Sequence, residues 1–136
     1  MSADLEQWLQ DFIAKRKGVA GTVHLFENGR LRLASAVNIP PQVQEAVAWV
    51  PSGKGMAGLA LERKEPIQTC NLKEDNSGNI RPGAKAVNAQ AAVALPVSGG
   101  ADAIRAVVGI AFSHEREFTK AELDDLTVAA SSVPSA

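Results

Sequence analysis

Residues 20–37 read AGTVHLFENGRLRLASAV. Apolar and polar positions alternate with a period of two on both sides of Glu27-Asn28-Gly29-Arg30, and an Asn-Gly pair favours the type I′ turn of a hairpin. The stretch therefore predicts two antiparallel strands, at 20–26 and 31–37. Two more segments with the same period, AAVALPV at 91–97 and IRAVVGIAF at 104–112, predict a second pair joined by a turn of small residues.

Outside these segments the period changes. Leu5, Trp8, Leu9, Phe12 and Ile13 form an apolar stripe at helical spacing and predict a helix over 2–17. Ser2 suits its start, Lys15, Arg16 and Lys17 suit the negative end of its dipole, and Gly18 suits its stop. Thr119 and Glu122 have the spacing of a capping box, with Phe118 and Leu123 as its hydrophobic staple, so a last helix is expected over 119–130. Residues 131–136 read as a frayed tail.

Pro40-Pro41 opens a short helix at 42–47, followed by a brief strand at 48–50, a Gly-rich loop at 51–58, a helix at 57–64 and a strand at 66–69. Residues 73–90 read as a long loop, of the kind that serves as a binding lid or a mobile segment. The expected architecture is a single α+β domain over 1–136, with its core in 5–130. It has a mostly antiparallel sheet with the two terminal helices on one face.

Composition narrows the function classes. The chain has 136 residues, 46% hydrophobic and 21% charged, and 14 basic residues against 15 acidic ones. Nothing in that balance supplies the clustered basic footprint of a nucleic-acid groove, and no apolar run is long enough to span a bilayer as a helix. The polar, acidic N-terminus is unlike a signal peptide, which points to the cytoplasm. Cys70 is the only cysteine, so no internal disulfide or multi-thiolate metal site is expected. His24 and His114 stand apart, with no metal-ligand pattern around either.

Strand alternation separates two faces. Val23, Leu25, Leu31, Leu33 and Val37 read as one set, with Val93, Leu95, Val97, Ile104, Val108, Ile110 and Phe112. This large face is expected to receive the terminal helices. The opposite set holds Thr22, His24, Arg32, Ala34, Ala36, Ala92, Ala94, Arg105, Val107, Gly109 and Ala111. Its small side chains leave room for a ligand pocket closed by loops, or for close helix packing.

Gly53-Lys54-Gly55-Met56-Ala57-Gly58 matches a dinucleotide fingerprint by letter. Pro51 before it, the short helix after it and Asn71 in place of an acid argue against that chemistry. What remains is a set of outward-pointing amides at a helix start, suited to a small anion or carboxylate. Cys70 serves either as a reactive thiol or as a small packing residue, and it has no partner for dithiol chemistry.

The order of these segments resembles the GAF domain, a small-molecule sensor module. The residues carrying the resemblance are Leu31–Ala36, Gly53–Ala60, Glu65-Pro66-Ile67, Asn71-Leu72, Leu95-Pro96-Val97, Val108-Gly109-Ile110, Arg116–Thr119 and Glu122-Leu123. Asn71 replaces the family's usual Asp. The resemblance implies a central antiparallel sheet of about six strands, terminal helices on one face and a ligand on the other. It also implies that a lone domain of this kind signals through a partner protein or does its own chemistry. Free methionine-(R)-sulfoxide reductases are the enzymatic branch, and the resemblance implies reactive cysteines in the Gly-rich motif, where this chain has Ala57, and in the loop before the penultimate strand, near Lys85. With one thiol, that chemistry is not expected. No cyclic-nucleotide signature and no Cys-His pigment anchor is present, and no cofactor is implied.

These readings converge on a non-enzymatic sensor or binding module acting through a partner. The alternatives are a diverged reductase relative with other or no chemistry, and a structural dimerisation module. The candidate pocket residues are Trp49, Met56, Ala57, Cys70, Arg81, Lys85, Ala92 and Ala94. Trp49 would give an apolar wall, Met56 and Ala57 backbone amides, Arg81 or Lys85 a cation, and Ala92 and Ala94 the floor. The first helix's stripe spans about 140°, wider than the roughly 100° a single core needs. A homodimer through 2–17 and 119–130, anchored by Trp8, is therefore expected.

Overall fold

Asn28 and Gly29 both have positive φ, 54° and 82°, as a type I′ turn demands of its central residues. They join β1 (Ala20–Glu27) to β2 (Arg30–Val37), with Glu27 facing Arg30. The hairpin is one part of a computed structural model that describes residues 3–69, 91–101, 103–114 and 117–134. In chain order the remaining elements are α1 (Ala3–Lys15), which precedes the hairpin, then α2 (Pro41–Ala46), β3 (Trp49–Pro51), α3 (Gly55–Arg63), β4 (Ile67–Thr69), β5 (Ala91–Gly100), β6 (Ala103–Phe112) and α4 (Lys120–Ala130). The strands form a six-stranded sheet in the order β3-β2-β1-β6-β5-β4, and every neighbouring pair runs antiparallel. The fold is the α+β architecture expected.

Both terminal helices lie on one face. Leu5, Leu9, Phe12 and Ile13 of α1 and Leu126 and Ala130 of α4 share a buried cluster with Val23, Val93, Leu95, Val97, Val108, Ile110 and Phe112. The α4 capping box forms as the sequence indicates: Thr119 Oγ1 accepts from the Glu122 amide, and the Glu122 carboxylate accepts from the Thr119 amide. Phe118, the staple residue, packs on Phe112 at 5.3 Å. The Gln68 side chain both donates to the Phe118 carbonyl and accepts from its amide, which ties the edge strand β4 to the start of α4.

The face assignment needs correction at two bulges. Val23 pairs with Ser35 but His24 pairs with Leu33, so Ala34 is an extra residue in β2. Such an insertion puts the strand before it out of phase with the strand after it, so the side chains before it change face. Leu31 is consequently buried with Val50, Leu59 and Val107 on the second face, and Leu33 follows it there. Arg32 and Ala34 fall on the helix side instead, with Ala34 inside the helix-side core. Val97 pairs with Ala106 but Ser98 with Ile104, making Arg105 a second extra residue. Ile104 joins the second face. Arg105 turns to the helix side and donates from Nη2 to the carbonyls of Ser131 and Val133 at 3.0 and 2.8 Å.

Those bonds overturn the expectation of a frayed tail for residues 131–134, and residues 135–136 lie outside the described residues. Val133 is 2% exposed and belongs to the helix-side core, and Trp8 Nε1 donates to Ser132 Oγ at 3.0 Å. Trp8 is thus occupied within its own domain, stacked on Phe12 at 5.0 Å and partly buried against the core. Ile13, the other edge of the stripe, is buried as well. The stop of α1 is also relocated: Lys17 takes the left-handed conformation (φ 60°), while the Gly18 amide reaches back to the Ile13 carbonyl and the Lys17 amide to Ala14. This is the Schellman pattern with lysine in the usual glycine place. Gly18 is small for another reason, since a Cβ there would lie 2.8 Å from Ile110 Cγ1. The proposed cap Ser2 lies outside the described residues. No helix among the described residues is long and apolar enough to cross a membrane.

Candidate functional site

The second face of the sheet is covered by α2 and α3 rather than by loops alone. Across β1, β6 and β5 the in-register residues are Thr22, Gly109 and Ala94 in one row and Ala20, Ala111 and Ala92 in the next. Directly paired residues share a face, so these rows form a floor with little side-chain height. Gly109 has no room for more: a Cβ would sit 2.8 Å from Thr22 Oγ1.

The α3 end of the site is shaped by its glycines. Gly53 and Gly55 have φ of 84° and 64°, values that L side chains rarely adopt. The Gly53 amide donates to the Gly58 carbonyl at 2.8 Å, folding the loop tightly over the helix start. Gly58 is needed for closeness, because a Cβ would fall 2.5 Å from the Pro51 carbonyl oxygen. The fingerprint spacing thus follows from a tight loop-to-helix junction. It leaves the amides of Gly55, Met56 and Ala57 in the first turn of α3, where a helix supplies no internal acceptor.

Between floor and helices lies a cavity of about 150 Å³. Its walls are Ile39, Val43, Val47, Val50, Met56 and Ala57, its floor includes Ala92, Ala94, Gly109 and Ala111, and Thr22, His24 and Lys54 complete the described lining. His24 is 3% exposed, and its Nε2 donates to the Val47 carbonyl at 2.9 Å, fixing the end of α2 to β1. Gln44 donates to the Ile39 carbonyl and holds α2 from its other end. The lining is almost wholly apolar, so burial of an apolar ligand body is its main source of binding energy.

Of the residues singled out in the sequence, Met56, Ala57, Ala92 and Ala94 come together around this cavity. Trp49 does not. It stands on the outer strand β3, 38% exposed, with the Arg30 guanidinium 4.0 Å above its ring. The alternation of β2 and β3 at the sheet edge carries its side chain to the helix side, opposite Arg32. Cys70, Arg81 and Lys85 lie outside the described residues. The apolar walls Val43, in α2, and Val47, its C-cap, carry no sequence signal, because a helix of six residues is too short to show a period. Thr22, Gly109 and Ala111 were legible as members of the small face. Among the described residues no group of three or more His, Cys, Asp or Glu side chains is placed to hold a metal.

A family model of the GAF domain matches residues 7–136. The chain belongs to the GAF-domain family. No curated protein matches the chain, but many solved structures do. This GAF domain is similar to fRMsr of Staphylococcus aureus in its reduced form, at TM-score 0.63 and 21% identity, covering 81% of this chain and 65% of that one. It is similar to a type II free methionine-R-sulfoxide reductase from Thermoplasma acidophilum at TM-score 0.72 and 17% identity, covering 93% and 85%. It is also similar to the GAF domain from a phosphoenolpyruvate-protein phosphotransferase of Coxiella burnetii, at TM-score 0.72 and 18% identity, covering 94% and 79%. The match thus spans just under two thirds of the S. aureus protein. At these identities the likeness establishes the shared fold, and it includes both reductases and a domain of a larger protein.

Proposed function

We propose that this GAF domain is a non-catalytic sensor module. It takes a small anion or carboxylate with an apolar body into the cavity beneath α2 and α3 and reports through a partner protein, in the cytoplasm. The observation that carries this reading is the cavity itself, about 150 Å³ of apolar space over a floor of small residues. Support for the anionic end of the ligand comes from Lys54 and from the first-turn amides of α3. Thermal-shift screening with small anions, amino acids, nucleotides and purines tests it. A true ligand at 100 times its Kd raises stability by about 2.7 kcal/mol; absence of any stabiliser refutes the sensor role.

The competing reading is catalytic, and what favours it is the presence of sulfoxide reductases among similar structures. Against it stands the single cysteine of the chain, since sulfoxide reduction by thiols uses one to attack and another to release. Turnover of methionine sulfoxide with a thiol reductant would decide for catalysis. The proposal also includes a homodimer through residues 2–17 and 119–130. Its support is Val128, 71% exposed on α4; Trp8 is held within the domain by Phe12 and Ser132. A sedimentation shift to monomer in Val128→Glu is the expected result, and a monomer before any change refutes the dimer.

A further inference from the structure

The proposed sensor role leaves the ligand's shape open, and the cavity floor narrows it. Five of the six positions in the two paired rows line the cavity, Thr22, Gly109 and Ala94 in one row and Ala111 and Ala92 in the next, a floor about 10 Å by 7 Å at ordinary strand and residue spacings. Apart from Thr22, nothing on that platform rises above a methyl group. One side is closed by His24, locked by its bond to the Val47 carbonyl, and the roof is formed by Val43 and Met56. No side chain divides that floor.

Size points the same way. The cavity's roughly 150 Å³ equals the engineered apolar void that accepts benzene, whereas pockets for drug-sized ligands run to about 300–1,000 Å³. Among the described lining residues no carboxylate is present, and Lys54 is the one that carries a formal charge at neutral pH. An apolar slot whose described lining carries one cationic side chain, Lys54, exposed at the rim, favours one negative charge on an otherwise apolar ring. We infer that the ligand is a monocyclic aromatic carboxylate of benzoate size, lying flat on the alanine and glycine floor with its carboxylate toward Lys54. This inference rests on the proposed sensor role and specifies its ligand class.

Calorimetric titration of the full chain with benzoate, acetate, benzylamine and adenosine monophosphate tests it. Benzoate is expected to bind at least about tenfold tighter than each of the other three, which corresponds to roughly 1.4 kcal/mol. Lys54 is exposed, so Lys54→Gln leaves the fold intact and is expected to weaken benzoate severalfold, and Ala92→Leu is expected to abolish binding while circular dichroism stays unchanged. Benzoate binding no tighter than acetate or benzylamine overturns the inference, as does undiminished affinity in Lys54→Gln. If another compound from the screen binds and is lost in Ala92→Leu, the ring carboxylate is wrong and the sensor role stands. If nothing binds, both fall.

Discussion

On the helix side of the sheet, Leu5, Leu9, Val23, Leu95 and Val108 are essentially without solvent contact, and two helices interlock with them over the length of β1, β5 and β6. On the opposite side the same strands present Thr22, Ala92, Ala94, Gly109 and Ala111, and the helices above them are short and leave a void. One sheet therefore carries a tightly filled face and one that is filled only in part, by Leu31, Val50, Leu59 and Val107, with a cavity beside them among the described residues. The first is where folding free energy is gained, since each large side chain fully buried contributes roughly 1.5–3 kcal/mol. The second forgoes part of that gain, and the space it leaves is what a ligand can occupy. Stability and binding are thus separated onto two sides of the same strands, and substitutions should sort by side.

The packed side should break most easily. Leu9→Ala removes a fully buried side chain from the middle of α1, and a loss of about 3 kcal/mol is expected from transfer and cavity terms together. Overfilling the same face should also hurt. Ala106 has no exposure and lies among Leu95, Val97 and Val108, so Ala106→Leu is expected to cost about 2 kcal/mol. Urea unfolding checks both, and a change below about 0.5 kcal/mol in either would contradict a close-packed helix side.

A smaller effect is expected at the C-terminal end of that face. Arg105 is tied to the carbonyls of Ser131 and Val133 through Nη2, while its Nη1 has no hydrogen-bond partner among the described residues. Bonds from a charged donor contribute about 1.5–3 kcal/mol when fully protected. With Arg105 half-buried, Arg105→Met should cost about 1.5 kcal/mol, near the lower end of that range. Hydrogen exchange should locate the loss, with amides of 131–133 exchanging faster and those of β1 unchanged. Uniform exchange along the chain would mean that Arg105 supports the whole sheet rather than the tail alone.

The sequence made much of this legible, and the parts that escaped share a cause. The hairpin at Asn28-Gly29, the capping box at Thr119 and the large and small faces of β5 all rest on local patterns that tertiary structure preserved. The bulges at Ala34 and Arg105 leave no local mark, because a bulge changes pairing and not composition. Strict alternation therefore misplaced Leu31, Leu33, Ile104 and Arg105. Arg105 and the tail were misread together: an arginine in a strand and a Ser-Ser-Val-Pro end each look solvated until the bulge turns one onto the other. For the site, the floor residues were visible as small side chains at period two, whereas the walls Ile39, Val43 and Val47 come from a segment too short for any period. Trp49 lies next to the Gly-rich loop in sequence, which suggests the site, but its pairing with Arg32 places its side chain on the other face.

The sharpest test of the two-sided sheet uses one substitution on both faces. Ala106 and Ala92 lie on adjacent strands, β6 and β5, and each changes to leucine by the same added carbons. On the helix side those carbons must displace buried neighbours. On the cavity side they enter a void of about 150 Å³, where each methylene removed from water is favourable by about 0.8 kcal/mol. Ala92 is only half-buried, so part of the added leucine remains at the cavity mouth and the lost side-chain entropy offsets some of the gain. Ala92→Leu should therefore lie within about 0.5 kcal/mol of the parent, against about 2 kcal/mol lost for Ala106→Leu. Urea midpoints at equal slopes read the difference directly. Equal losses at the two positions would mean that the second face closes down on its small residues in solution, and the space assigned to a ligand would not exist.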